Sequence, residues 1–184
     1  MTSAADEHRV VAADFTRHVR SMAPGDWGNP APCEGWVARD VVRHLVTWFP
    51  AFVASGAGVE LPRGPSVDVD PVAAWTVHAD GVQALLDDPG TADRVLENPH
   101  IGVLPLDQAV DRFYTVDVFL HTWDLARAGG LAETLDAGRC ARLLDAMLPL
   151  DDVLRASGEY GPRVEVPETA DVQTRLLAFI GRAP

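Results

Sequence analysis

Three side chains in this sequence have the types and spacing to hold a metal ion. Asp117 and His121 stand four residues apart in Val116-Asp117-Val118-Phe119-Leu120-His121-Thr122-Trp123-Asp124. On a helix they share one face, with Cβ atoms roughly 5–6 Å apart. His44, in Asp40-Val41-Val42-Arg43-His44-Leu45, belongs to a separate segment and supplies a third donor if the two segments face each other. Two imidazoles and one carboxylate leave a divalent ion with an open coordination position, which suits catalysis better than a closed structural role. Such donors accept Zn, Ni, Fe or Mn, and zinc is the expected ion.

The neighbours of these residues divide into helpers and bystanders. Asp124, three residues after His121, can accept from the second ring nitrogen and fix the tautomer, as outer partners of metal-binding histidines do; it is equally placed for an ion pair with Arg127. Asp40 lies four residues before His44, but near an expected helix start, where a carboxylate favours the macrodipole. Trp36, Trp48 and Arg43 are candidate pocket-lining groups for an apolar part of a ligand. Cys33 reads as a packed loop thiol. His8, His18, His78 and His100 lack a matching carboxylate partner at convincing spacing, chance pairings aside, and stay outside the site. With no glycine-rich phosphate loop, no Gly-x-Ser-x-Gly elbow and no His-Glu-x-x-His, nucleotide, flavin and serine-hydrolase chemistry are not expected.

Positioning these side chains requires long helices, and hydrophobic periodicity supplies them. A first helix is expected over about residues 5–22, with Val10, Val11, Phe15 and Val19 in its apolar stripe, stopped by Pro24-Gly25. Residues 27–36, rich in Pro and Gly, form a loop pinned by Trp27 and Trp36. A second helix, about 37–55, carries His44, and residues 56–70 are a surface connection. Asp70-Pro71 is an N-cap followed by a tolerated first-turn proline, so a third helix runs over about 71–86 with Trp75, Val82 and Leu85. After an irregular stretch, 87–105, the fourth helix, about 106–128, carries Asp117 and His121 and ends at Gly129-Gly130. Beyond it come a fifth helix (136–147), a short turn (153–157), an extended piece (161–167) and a last short helix (170–180). The expected fold is mostly α, a four-helix bundle with short additional C-terminal elements.

Composition bounds the function. A chain of 184 residues, 47% hydrophobic, can bury one sizeable core, so residues 1–184 are expected to form a single domain. A formal charge of −12 argues against a nucleic-acid partner, which needs clustered cations on phosphates. All 15 basic residues are arginine, which excludes a lysine Schiff base. Two cysteines, Cys33 and Cys140, make no disulfide framework and suit a reducing cytoplasm. The N-terminal residues lack a basic start followed by an apolar run, and no apolar run reaches about 18 residues, so neither secretion nor membrane insertion is expected. The chain is expected to act as a monomer or homodimer.

Two segments, Pro32-Cys33-Glu34-Gly35-Trp36-Val37-Ala38-Arg39-Asp40-Val41-Val42-Arg43-His44-Leu45 and Asp117-Val118-Phe119-Leu120-His121-Thr122-Trp123-Asp124-Leu125-Ala126-Arg127, resemble the mycothiol-dependent maleylpyruvate isomerase N-terminal domain family. That family belongs to the DinB-like metal-binding bundles. Tyr160-Gly161-Pro162-Arg163-Val164-Glu165-Val166-Pro167 and Arg175-Leu176-Leu177-Ala178-Phe179-Ile180-Gly181-Arg182 look like its actinobacterial members. The resemblance implies a DinB-like fold and a divalent ion on His44, Asp117 and His121. It departs at Asp117, where the family isomerase has glutamate, so the carboxylate arm is one methylene shorter. The isomerase also has a further domain, so its substrate is not carried over. What the resemblance implies about activity is transfer or isomerisation dependent on a small-molecule thiol, mycothiol, acting on a small electrophile. The alternative is a bundle that binds a metal or small ligand without turnover.

Overall fold

The structure is a computed structural model describing residues 2–158 and 160–184. It divides into two compact units, Met1–Ala132 and Glu133–Pro184. The first unit carries four long helical segments. Helix α1 (Ala4–Ser21) starts where the Ser3 hydroxyl accepts from Asp6 N, satisfying one of the free amides of the first turn. Helix α2 (Ala38–Ala57) ends at Gly58, whose φ of 62° is the left-handed conformation that glycine adopts without a Cβ penalty. Helix α3 (Pro71–Asp87) is capped as its sequence implies, with the Asp70 side chain accepting from Ala73 N at 2.9 Å.

The fourth segment is one continuous rod: a short helix α4 (Leu106–Ala109), a π-helical turn (Val110–Thr115) and helix α5 (Val116–Ala128). Helices α1 and α2 each pack on both α3 and α5, which places the four around a common core in the mostly helical, DinB-like arrangement expected. Phe15, Phe49, Trp75, Tyr114 and Trp123 are buried there. Phe49 stacks on Tyr114 at 4.0 Å and Phe15 meets Trp75 at 4.5 Å, contacts that add to the area these rings remove from water.

Some expectations need correction. Val10, placed in the α1 stripe, is 64% exposed, and His8 and His18 are buried instead. The buried set 8, 11, 12, 15 and 19 follows the three- and four-residue period of one helix face, and position 10 lies off it. On α3 the buried residue is Leu86, not Leu85. The stretch expected to be irregular contains a hairpin, β1 (Val95–Asn98) antiparallel to β2 (Gly102–Pro105), with Leu96 opposite Leu104.

The hairpin packs on α2 through a close approach that requires glycine. A Cβ added at Gly56 would lie 2.9 Å from both Glu97 O and Leu96 Cγ. The carbonyl is main chain of β1, so it cannot move without shifting the strand. Gly56→Val is therefore expected to cost about 2–3 kcal/mol by overpacking, read as a lowered urea midpoint at unchanged slope.

In the second unit, α6 (Ala137–Met147) packs on α8 (Val172–Phe179), burying Cys140, Leu144, Leu176 and Leu177. Asp136 and Asp171 cap these helices through bonds from Arg139 N and Thr174 N. Residues expected as a turn form a short helix, α7 (Asp151–Ser157). The expected extended piece forms no strand; Val164 N donates to Ala178 O, and Arg155 donates to the carbonyls of Gly161 and Phe179. Among the described residues no helix is long and apolar enough to cross a membrane.

Candidate metal centre

Helices α2 and α5 bring His44, Asp117 and His121 together. One ligand-type atom from each lies within 4.8 Å of the others. His44 Nε2 is 3.1 Å from Asp117 Oδ2, and His121 Nε2 is 3.4 Å from Asp117 Oδ1. Both imidazoles thus turn their Nε2 atoms to one carboxylate. His121 is nearly buried at 7% side-chain exposure, while His44 and Asp117 are 28% and 24% exposed, so solvent reaches the group at His44 and Asp117.

Each donor is oriented by its surroundings. The Asp124 carboxylate, 1% exposed, accepts from His121 Nδ1–H at 2.8 Å. That bond assigns the proton to Nδ1 in the neutral ring and leaves the Nε2 lone pair facing Asp117. The Trp48 indole N–H donates to Asp117 Oδ2 at 2.9 Å. Trp36 stacks on His121 at 5.6 Å and lies 5.1 Å from the His44 ring. It is presented by a loop that closes on itself through Ala31 N to Trp36 O, Trp36 N to Cys33 O and Ala38 N to Asn29 O. The same loop brings the Cys33 thiol to Asp124 Oδ2 at 3.5 Å, so Cys33, His121 and Asp124 form a second group of ligand-type atoms.

The electrostatics are those of positions made for a cation. Burial alone would push the His121 imidazole down, but the Asp117 charge and the Asp124 hydrogen bond raise it to about 10. Burial likewise opposes ionisation of Asp117, yet the His121 charge and the His44 hydrogen bond hold its carboxyl below the usual carboxylate range. An ion bound there takes the place of the proton that these groups otherwise share.

Other residues singled out from the sequence fall elsewhere. Asp40 caps α2, accepting from Val37 N at 2.9 Å and pairing with Arg43. Arg43 is not turned toward the histidines: its guanidinium is held by Asp40 and by Asp68 at 2.6 Å. It lines a different cleft of about 520 Å³ with Val46, Thr47, Pro50, Leu61 and His78. One residue along a helix is a turn of about 100°, which separates its direction from that of His44. Arg127 lies over the Trp123 ring at 4.6 Å. His18 bonds to the carbonyls of Asp14 and Ala132, and His100 is exposed at the hairpin turn. His8 and His78 are buried beside the π-turn, on Thr115 and Tyr114 respectively.

Sequence reasoning missed the Trp48 N–H and the Cys33 contact. Trp48 carried a usable signal, because it stands four residues after His44 on the same helix face. Cys33 carried none, since a loop closure brings it in.

The residues so assembled lie on α2 and α5 of the first unit, and comparison with known proteins covers the same part of the chain. No solved structure matches it. Two proteins of Mycobacterium tuberculosis, from strains CDC 1551 and H37Rv and both described as uncharacterized, are each 27% identical over 184 residues, spanning 95% of this chain and 95% of the relative. The family model described as "Mycothiol maleylpyruvate isomerase N-terminal domain" matches residues 8–126, a span that contains His44, Asp117, His121 and the partners that orient them. By that match the chain belongs to the mycothiol maleylpyruvate isomerase N-terminal domain family.

Proposed function

We propose that His44, Asp117 and His121 hold one divalent ion, zinc by preference, and that the site uses a small-molecule thiol, mycothiol, against a small electrophilic substrate. The observation that carries this reading is the convergence of the two Nε2 atoms on the Asp117 carboxylate, with all three donors within 4.8 Å. The donor set fits a borderline ion with room for an outside ligand. A divalent ion held by His44, Asp117 and His121 would supply a Lewis-acid position that lowers the pKa of a thiol and favours its conjugate base.

The chain's own residues do the rest. Asp124 keeps the His121 lone pair on the ion side, and Asp117 supplies the one negative charge among the ligands. Trp36 and Trp48 wall the approach with apolar ring surface against which an electrophile can lie. The sulfur adds to the electrophilic carbon of a polarised double bond: the C–S bond forms as the π bond opens, its electron pair stays on the substrate, and that carbanion or enolate takes up a proton from solvent in place of the one the thiol gave up. Family membership supports mycothiol as the thiol.

Cobalt(II) loaded into the protein tests this. Adding mycothiol, or N-acetylcysteine as a simple thiol, is expected to produce a sulfur-to-cobalt charge-transfer band that saturates with thiol. A cobalt spectrum indifferent to thiol would mean a closed coordination sphere and favour a bundle that binds metal without turnover.

A further inference from the structure

The geometry points to Trp48 as a positioning residue that anchors the Asp117 carboxylate for the ion, an inference resting on the ion site proposed above. Trp48 lies one turn beyond His44 on α2, and its indole N–H meets Asp117 Oδ2 at 2.9 Å. An indole nitrogen is a donor only, so it can hold a carboxylate oxygen but never compete as a ligand. Oδ2 thereby gives one lone pair to Trp48, while Oδ1, which faces His121 Nε2 at 3.4 Å, keeps its full capacity for an ion.

The anchor is itself fixed. The Trp48 ring contacts Phe49 at 5.6 Å, Phe52 at 5.7 Å and Tyr114 at 5.8 Å. Tyr114 in turn is stacked on Phe49 and hydrogen-bonded to His78 Nε2 at 2.6 Å. Asp117 and His121 therefore each have an outer hydrogen-bond partner, Trp48 and Asp124. Among the described residues the His44 side chain has only Asp117 as a hydrogen-bond partner. Pre-setting a ligand in this way removes the rotational freedom it would otherwise lose on binding, and it matters most for a short aspartate arm that cannot reach far to correct its aim.

Trp48→Phe keeps the aromatic packing and deletes the N–H. Zinc affinity is measured by competition with a chelating dye on the full chain, with the thermal midpoint of the metal-free protein in parallel. The variant is expected to bind zinc about 10–100-fold more weakly, the usual effect of losing an outer partner. In an Asp117→Glu background, where the carboxylate reaches one methylene past the indole, the same change is expected to cost less than about threefold, since the coupling is gone. In metal-free wild type, the Trp48 indole proton is expected to resonate downfield and to move upfield in Asp117→Asn, a readout that needs no folded Phe variant. Wild-type protein that binds zinc, with Trp48→Phe equal to it or losing as much in the Glu background, would overturn the role of Trp48 alone. Wild type that takes up no ion would overturn the site itself and this role with it.

Discussion

His121→Ala is expected to weaken zinc binding by roughly 10²–10³-fold, among the largest effects of any single change at the site. Zinc held by four protein ligands is worth about 10–16 kcal/mol, or roughly 2.5–4 kcal/mol per donor, and each 1.4 kcal/mol is tenfold. His44→Ala should lose a similar amount of affinity. The two variants differ in what they do to the metal-free fold. Removing His121 takes a hydrogen bond from the buried Asp124 carboxylate, which is 1% exposed, at a cost of about 1–3 kcal/mol. His44 is 28% exposed, and its removal strands no buried charge. A dye-competition titration and a urea melt on each variant check this; equal stability losses, or affinity retained in either, would contradict it.

Acid is expected to destabilise the metal-free protein from about pH 6.5 downward, before its carboxylates titrate. His8 and His78 are 0% and 2% exposed, and burial pushes both imidazoles down to about 4. His8 Nδ1 meets Thr115 Oγ1 at 3.0 Å, and its Nε2 meets no hydrogen-bond partner among the described residues, so a charged ring would bury an Nε2–H with no acceptor. The unfolded chain takes up these protons near pH 6.5, whereas the folded one resists until about pH 4. The stability is thus fully present above about pH 6.5 and is lost progressively as pH falls to about 4, by on the order of 3 kcal/mol per histidine. His121 contributes in the opposite sense: its folded value of about 10 lies above the unfolded one, so its contribution is complete below about pH 6.5 and fades only as pH rises towards 10. Urea unfolding in chelator between pH 4 and 8 should show the decline, and His8→Gln, which cannot titrate and no longer repels a charge on His78, should remove at least about half of it. Flat stability down to pH 4 would refute the account of this pair.

The candidate ligands were legible because a helix turns sequence spacing into direction. Asp117 and His121 at a four-residue step, with His44 on another amphipathic segment, are a pattern that survives ignorance of the crossing geometry. Helix ends were legible where a specific residue stops or starts the backbone, as Asp70-Pro71 and Gly129-Gly130 do. The hairpin was not: its strands are four residues each, and Val95 and Val103 face solvent, so the alternation that marks a half-buried strand is absent. The π-turn at Val110–Thr115 leaves no compositional mark, since it adds one residue to a turn without changing the buried types. The neighbours that complete the site, Trp48 through its N–H and Cys33 through a loop closure, depend on contacts across 69 and 91 residues of chain. Local pattern puts Trp48 on the His44 face of its helix but does not show which group its N–H meets, and it carries no information about Cys33.

The central claim rests on whether the folded chain holds an ion at these three residues. Untagged wild-type protein, stripped with chelator, reloaded with zinc and desalted, should retain about one zinc per chain by elemental mass spectrometry, as one three-donor site predicts. Folded His44→Ala and His121→Ala protein treated alongside should retain essentially none. Folded wild type that retains no zinc, and takes up no Ni, Fe or Mn in its place, would contradict the metal centre. So would variants that hold the ion as well as the wild type.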